Sequence, residues 1–207
     1  AHKLRHIKPD QFDGFIAETF AKERADLAPQ FARTMKEMKS TWLRQFRLRY
    51  LLAKITQAVD IQAYGPSESR DRLADYTAGG NDIEHIMAAG ADAEAVAEFG
   101  ERAQDDAVIQ SLGNLLLIEK SINRSISNTR YSEKVKGYAQ SKFLLTRCQA
   151  DAQAQLVGVA DQITKTVQAL ECWPKWSMED VEARQLFLTK LACRVWDVPT
   201  IDEVIPV

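Results

Sequence analysis

Apolar residues recur every three or four positions through the most strongly patterned stretch of this chain. They are Phe31, Met35, Met38, Trp42, Phe46, Tyr50 and Ala53. This spacing is typical of an α-helix and predicts one from about Pro29 to Val59. Nine glycines and six prolines among 207 residues are too few for the turns of a many-stranded sandwich or barrel. A largely helical fold is therefore expected.

Other stretches predict a small β element inside this helical body. A helix is expected over residues 10–27, ended by Pro29, and a loop or boundary over 64–82. Residues 82–86 alternate like a strand, and residues 115–118 follow the Gly113-Asn114 turn as a second strand. Further helices are expected over 91–110, from Ser132, over 149–170, and from a capping box at Ser177. The expected class is mainly α, α+β.

Charge is sorted into blocks along the chain, although the formal net charge is only -2. Residues 33–54 carry seven bases and one acid, and residues 119–147 carry seven bases and two acids. Residues 92–106 reverse the sign, with six acids and one base. Basic blocks of this kind are either solvated faces or surfaces that bind a polyanion, and both interpretations stay open.

Several classes of protein are excluded by what the sequence lacks. It has no apolar run of about 18 residues, no secretory signal, and no Walker A or dinucleotide-binding glycine motif. Cys148, Cys172 and Cys193 have neither zinc-ligand nor redox-motif spacing. We therefore expect three buried, reduced thiols in a cytoplasmic protein without a membrane partner.

Residues suited to metal and proton chemistry gather around the two predicted strands. Glu84 and His85 end the first strand, and Asn114, Asn123 and Asn128 follow later. Carboxylate and amide oxygens are hard ligands that suit Mg²⁺ or Mn²⁺. A neutral imidazole beside them can take a proton from water, and an asparagine after a turn can pin the histidine loop through amide hydrogen bonds.

Two sequence strings carry a family resemblance. They are Asp82-Ile-Glu-His85-Ile and Leu112-Gly-Asn-Leu-Leu-Leu-Ile-Glu-Lys-Ser-Ile-Asn123, followed by Asn128, Lys134, Tyr138 and Ser141. They resemble the HNH (ββα-metal) nucleases, and more closely the C-terminal nuclease domain of GmrSD-type modification-dependent restriction enzymes and their phage-defence relatives. The stretch from Trp176 to Trp196 is similar to the closing helix of that family. The resemblance implies a ββα-metal insert over about residues 80–145.

Carried over position by position, the resemblance implies a metal-dependent DNA endonuclease. His85 would be the general base and Asn114 would orient it, whereas Glu84 and Asn123 would hold Mg²⁺ or Mn²⁺. The bases expected to contact DNA, modified or phage DNA included, are Lys120, Arg124, Arg130 and Lys134. An N-terminal segment, 1–62, would precede the nuclease domain, 63–207, with C-terminal helices over 149–197. A separate N-terminal domain that hydrolyses NTP and senses DNA is expected to be missing from this chain.

The chain departs from the family pattern at one position, and the residues also allow other roles and functions. The family has a proline three residues after the histidine, where this chain has Ala88, so a less firmly fixed loop is expected. Four alternative roles stay open: a core histidine for His85, a solvated carboxylate for Glu84, a turn residue for Asn114 and a helix cap for Asn123. The alternative functions are a degenerate HNH module that only binds DNA and a helical interaction domain.

Overall fold

The N-terminal part of the chain forms two long helices. The computed structural model describes residues 7–152 and 161–198. Helix α1 spans Phe12–Glu37 and helix α2 spans Gln45–Tyr64. The expected break at Pro29 is wrong, because α1 continues through it. Proline fixes a φ angle that a helix tolerates, and only one main-chain hydrogen bond is given up there.

The expected single helix over 29–59 is also wrong, because residues 38–44 separate α1 from α2. This segment contains the short 3-10 turn Ser40–Trp42. The Ser40 amide donates to the Gln110 carbonyl at 2.7 Å, and the Met38 carbonyl accepts from the Leu112 amide at 3.1 Å. The segment therefore pairs with the chain that leads into the second strand, and these long-range bonds replace helical ones.

The two strands form an antiparallel pair close to the predicted positions. Strand β1 is Asn81–His85 and strand β2 is Leu115–Glu119, with Ile83 opposite Leu117 and His85 opposite Leu115. The short helices α3, Glu68–Asp71, and α4, Leu73–Thr77, precede β1. All the apolar residues of β2 are buried, so the pair is anchored in the core.

The acidic stretch between the strands is not one helix, as was expected, but two short ones. Helix α5 spans Ala93–Phe99 and helix α6 spans Asp106–Ile109. Gly100 ends α5 with a φ of 104°, a left-handed conformation that a glycine adopts without steric cost. The stretch divides there because Asp92 caps the start of α5 and Asp105 caps the start of a separate helix, α6, after Gly100.

Within the described part of the chain, five helices follow β2. They are α7, Lys120–Ile126, α8, Tyr131–Tyr138, α9, Leu144–Arg147, α10, Asp161–Gln168, and α11, Met178–Val195. The predicted capping box is confirmed, since the Ser177 and Asp180 side chains each bond the other's main-chain amide. Part of the helix expected over 149–170 falls on residues 153–160, which lie outside the described residues.

One hydrophobic core joins the helices to the sheet. It runs from Met35 in α1 through Ile55 in α2 and Leu117 in β2 to Leu188 in α11. The expected boundary at 62–63 falls inside α2, and residues on both sides of it share this core. The fold class predicted from the sequence, mainly helical α+β with a small two-stranded sheet, is confirmed.

Several residues of the predicted apolar helix faces, and one cysteine, lie at the surface. Trp42, Phe46 and Tyr50 lie outside the core with exposed fractions of 52%, 62% and 46%. Cys172 is exposed, whereas Cys148 and Cys193 are buried as expected. Among the described residues, no helix is both long and apolar enough to cross a lipid bilayer.

Candidate functional site

The end of β1, the loop that follows it, and helix α7 with the turn after it build an open cavity of about 390 Å³. The lining includes four predicted site residues, Glu84, His85, Asn123 and Arg124, together with Asn128. The strand pair fixes Glu84 and His85, and α7 begins directly after β2 and so returns Asn123 to the same place. Five residues separated by up to 44 positions in sequence therefore meet at one concave surface.

His85 occupies the last position of β1 and is half-buried. Burial lowers the pKa of His85, and the positive charge of Lys134 lowers it further. Both effects disfavour the imidazolium, so the neutral imidazole, the form that accepts a proton, is favoured at this position.

The loop after His85 is held by Asn114, whose side chain is fully buried. The Asn114 carbonyl oxygen Oδ1 accepts from the Met87 amide at 2.7 Å, and its Nδ2 donates to the Met87 carbonyl at 2.8 Å. Trp176 Nε1 also donates to Oδ1, at 3.3 Å. Asn114 thus contacts the main chain two residues beyond the histidine, which is how it can position the histidine without touching the ring.

Two further contacts fix the same loop. Lys134 Nζ donates to the main-chain carbonyls of His85 and Ile86 at 2.9 Å and 3.1 Å. Asn128 Nδ2 donates to the Gly90 carbonyl at 3.2 Å. Ala88 stands where the family has a proline, so this loop lacks the restraint of a proline ring, and a less firmly fixed loop stays a prediction. The side-chain hydrogen bonds to the main chain supply a restraint of another kind.

Glu84 lies beside a buried cation and a tyrosine. Its Oε1 accepts from Lys134 Nζ at 2.6 Å and from the Tyr138 hydroxyl at 3.1 Å. Burial raises the pKa of Glu84, whereas the ion pair with Lys134 and the Tyr138 hydrogen bond oppose that rise. Glu84 is therefore not the solvated strand-end carboxylate that the sequence left open.

Lys134 is not placed where DNA can reach it. Its side chain is 0% exposed, and it forms one ion pair and two main-chain hydrogen bonds inside the protein. A buried ammonium with three partners offers no surface to a phosphate. The expected DNA contact of Lys134 is replaced by a structural one, which joins helix α8 to the end of β1.

Asn123 is paired with Asp82, an aspartate outside the predicted set of site residues. Asn123 Nδ2 lies 3.4 Å from Asp82 Oδ2, and this contact joins α7 to β1. Asp82 precedes Glu84 by two positions, so strand alternation places both carboxylates on one face of the sheet. That alternation was visible in the sequence and was the signal for including Asp82.

The basic residues expected to contact DNA at the surface differ in whether nearby carboxylates offset their positive charge. Arg124 is exposed and lines the cavity. Lys120 is half-buried at the start of α7. Arg130 lies within 3.3 Å of Glu94 and 3.5 Å of Glu133, so two carboxylates offset its charge. Arg124 is therefore the cation best placed to meet a phosphate at this site.

Helix α11 secures the turn that carries Asn114. Arg184 is buried and donates to the main-chain carbonyls of Gly113 and Leu115, both at 2.7 Å. The Gln185 Oε1 accepts from the Gly113 amide at 2.5 Å. These residues lie about 70 positions from the turn, and no local sequence pattern pointed to them.

The oxygen donors around the cavity fit a hard divalent cation that keeps several of its waters. The donors that line the cavity are the Glu84 carboxylate and the Asn123 amide, the Asp82 carboxylate contacts Asn123 from outside the lining, and the cavity is open to solvent. Within residues 7–152 and 161–198, no group of three or more His, Cys, Asp or Glu side chains is placed to hold a metal. A closed protein cage of the zinc type is therefore not formed by these residues, whereas one or two carboxylates with retained water suit Mg²⁺.

Comparison with known protein families gives one match. The family model described as GmrSD restriction endonucleases, C-terminal domain, matches residues 28–191, which include both strands and every residue of the cavity. No curated protein and no solved structure matches the chain.

Proposed function

The chain belongs to the family of GmrSD restriction endonuclease C-terminal domains, and from this we propose that it is a metal-dependent endonuclease domain that hydrolyses DNA phosphodiesters. The observation that carries the proposal is the shared cavity of about 390 Å³, lined by His85, Glu84, Asn123 and Arg124. It combines a base, oxygen donors for a cation and a cation for phosphate within one site.

In this proposal His85 removes the proton from the attacking water. The ring belongs to a strand end whose following loop is fixed through Met87 by Asn114. A histidine held this way presents its free nitrogen in a defined direction, which is what general-base catalysis requires. Asn114 is accordingly a positioning residue, because it acts through the loop and does not face the cavity.

Glu84 and Asn123 are proposed to hold Mg²⁺ or Mn²⁺, and Asp82 supports them through its contact with Asn123. Such an ion, when bound, offsets the negative charge that develops on the phosphate and the leaving oxygen. Lys134 orients the Glu84 carboxylate, since it donates to only one of its two oxygens, Oε1, and its charge opposes the rise that burial gives the pKa of Glu84. Arg124, and more weakly Lys120, would draw the DNA backbone to the cavity.

The test is cleavage of supercoiled plasmid with Mg²⁺ or Mn²⁺, and with EDTA as the metal-free control. We expect metal-dependent nicking that falls at least about 100-fold in His85→Ala, the range for loss of a general base. Asn123→Ala should need a higher metal concentration for the same rate, by about 10-fold or more. Gln140→Ala removes an exposed amide two residues after the end of α8 and should cut like wild type.

A second candidate function is a module that binds DNA without cutting it. The Lys134–Glu84 ion pair favours it, because an ammonium already occupies Oε1 of the proposed metal ligand. Intact plasmid in both metals, with a gel shift that His85→Ala leaves unchanged, would support this alternative and contradict the nuclease.

A further inference from the structure

The start of helix α2 presents large aromatic side chains to solvent. Trp42, Phe46 and Tyr50 are 52%, 62% and 46% exposed. Phe46 and Tyr50 lie one helical turn apart and therefore share a face of α2, and Trp42 precedes the helix in a 3-10 turn. A cluster of exposed rings is costly to leave in water, so it points to a binding surface.

The same stretch is strongly and exclusively basic. Residues 39–59 contain five bases and no acid: Lys39, Arg44, Arg47, Arg49 and Lys54. None of the ion pairs formed by the described residues includes any of the five. The Arg47 guanidinium lies 5.6 Å from the centre of the Phe46 ring. Exposed rings therefore lie among cations that form no ion pair within the described residues.

This surface is connected to the cavity through the start of β1. Arg49 donates to the Asn81 carbonyl, at the first residue of β1. The neighbouring Gly80 carbonyl accepts from the Lys120 amide, at the first residue of α7, at 2.9 Å. Basic residues therefore continue from α2 past the beginning of β1 to α7, which carries Arg124.

We infer that the aromatic–basic surface, made of Trp42, Arg44, Phe46, Arg47 and Tyr50, binds DNA outside the cleavage cavity. The inference rests on the proposed function and extends it from the reacting phosphate to the path of the substrate. Guanidinium groups pair with phosphates, and planar rings pack against bases or sugars, so a nucleic acid matches both components. An apolar protein surface matches the rings and leaves the cations without partners.

The test is fluorescence anisotropy with a short labelled duplex and with its single strand, in EDTA so that no cleavage occurs. We expect Phe46→Ala and Tyr50→Ala each to raise Kd by about fivefold or more, as loss of a stacked or packed ring does. Arg47→Ala should raise Kd and reduce the slope of log Kd against log salt by about one. Matched controls in α1 are Phe20→Ala, whose ring is 57% exposed, and Lys22→Ala, and both should bind like wild type.

The outcomes separate this inference from the proposed function. Loss of DNA affinity in the α2 variants supports DNA binding by the aromatic–basic surface, whether or not the plasmid assay shows cleavage. If affinity is lost for the single strand and kept for the duplex, the rings pack against unstacked bases. Wild-type Kd and salt slope in all three variants overturn the inference, even for a protein that nicks plasmid normally. Melting temperatures equal to wild type verify the fold, as expected for exposed positions.

Discussion

Lys134 shows how one side chain can be decisive for both stability and site geometry. It reaches from α8 to the end of β1, where it pairs with Glu84 and holds the carbonyls of His85 and Ile86. Both charged groups are almost completely buried, with side-chain exposed fractions of 0% and 9%. A buried pair of this kind contributes little net stability as a pair, but removing one partner leaves an uncompensated charge.

Lys134→Met should therefore destabilise the protein by about 3–5 kcal/mol, the usual cost of leaving a buried charge unpaired. The double variant with Glu84→Gln should recover part of this loss, because it removes the orphaned charge as well. Urea denaturation measures both values. Lys136→Ala, on the exposed face of the same helix, is the control and should leave the midpoint unchanged. Equal midpoints for the Lys134 and Lys136 variants would contradict the role given to the buried pair.

At the scale of elements, the turn before β2 is locked by helix α11. Gly113 lies so close to α11 that a Cβ atom built on it would meet the Val181 carbonyl oxygen at 2.2 Å and the Gln185 amide at 2.9 Å. Both neighbours are main-chain atoms and cannot move aside like a flexible side chain. Glycine is required here by close approach of two backbones, and this approach places Asn114 against the histidine loop.

Gly113→Ala should cost about 1–3 kcal/mol through overpacking. Since displacement of the turn also moves Asn114, plasmid nicking should fall further than the loss of folded protein explains. The measurement is nicking rate per folded molecule, with the folded fraction taken from thermal melting. Gly79→Ala is the matched control, because its added methyl group meets nothing within 4 Å. Equal melting temperatures and equal nicking rates of the two variants would mean that the turn can shift to accommodate the added methyl group.

At the scale of the whole molecule, Asp60 joins three helices that lie far apart in sequence. From α2 its carboxylate accepts from the Tyr76 hydroxyl of α4 and from the Leu144 amide of α9, both at 3.0 Å. Burial raises the pKa of Asp60 above its ordinary value of 3.8, although both hydrogen bonds lower it. The folded state therefore binds this proton more tightly than the unfolded chain does.

This linkage gives stability a defined dependence on pH. The contribution of protonated Asp60 to the free energy of unfolding is fully present below about pH 3.8, the pKa of this group in the unfolded chain. It is lost as the pH rises through the higher pKa of Asp60 in the folded state. Asp60→Asn keeps the shape of the side chain without its charge. As the pH rises through the folded-state pKa of Asp60, the melting temperature of the variant should increase relative to that of wild type. Above that pKa the variant should remain more stable by a constant difference in melting temperature. Melting curves of both proteins from pH 4 to 7 test this sign. A difference in melting temperature between variant and wild type that decreases with rising pH would show that the ionised Asp60 carboxylate stabilises the fold.

Local patterns in the sequence were sufficient for the strands, the last helix and the residues of the cavity. Alternation and the Gly113-Asn114 turn predicted β1 and β2 to within one residue, and the Ser177 capping box predicted the start of α11. Glu84, His85 and Asn123 were selected as neighbours and do line one cavity. These features depend on short-range backbone preferences, which act wherever the residues occur.

Tertiary structure alone decided where the long helices end and which charges are buried. The chain leaves the helix at residues 38–44 because Met38 and Ser40 bond the segment before β2, some 70 residues away. Lys134 is a core residue and Phe46 a surface residue for the same reason: the other elements, not the residue's own polarity, set what covers it. The sequence by itself determined the strand–strand–helix unit and its chemistry. Only packing between distant segments determined which basic residues remain free for a polyanion, because burial depends on the neighbours that the whole fold supplies.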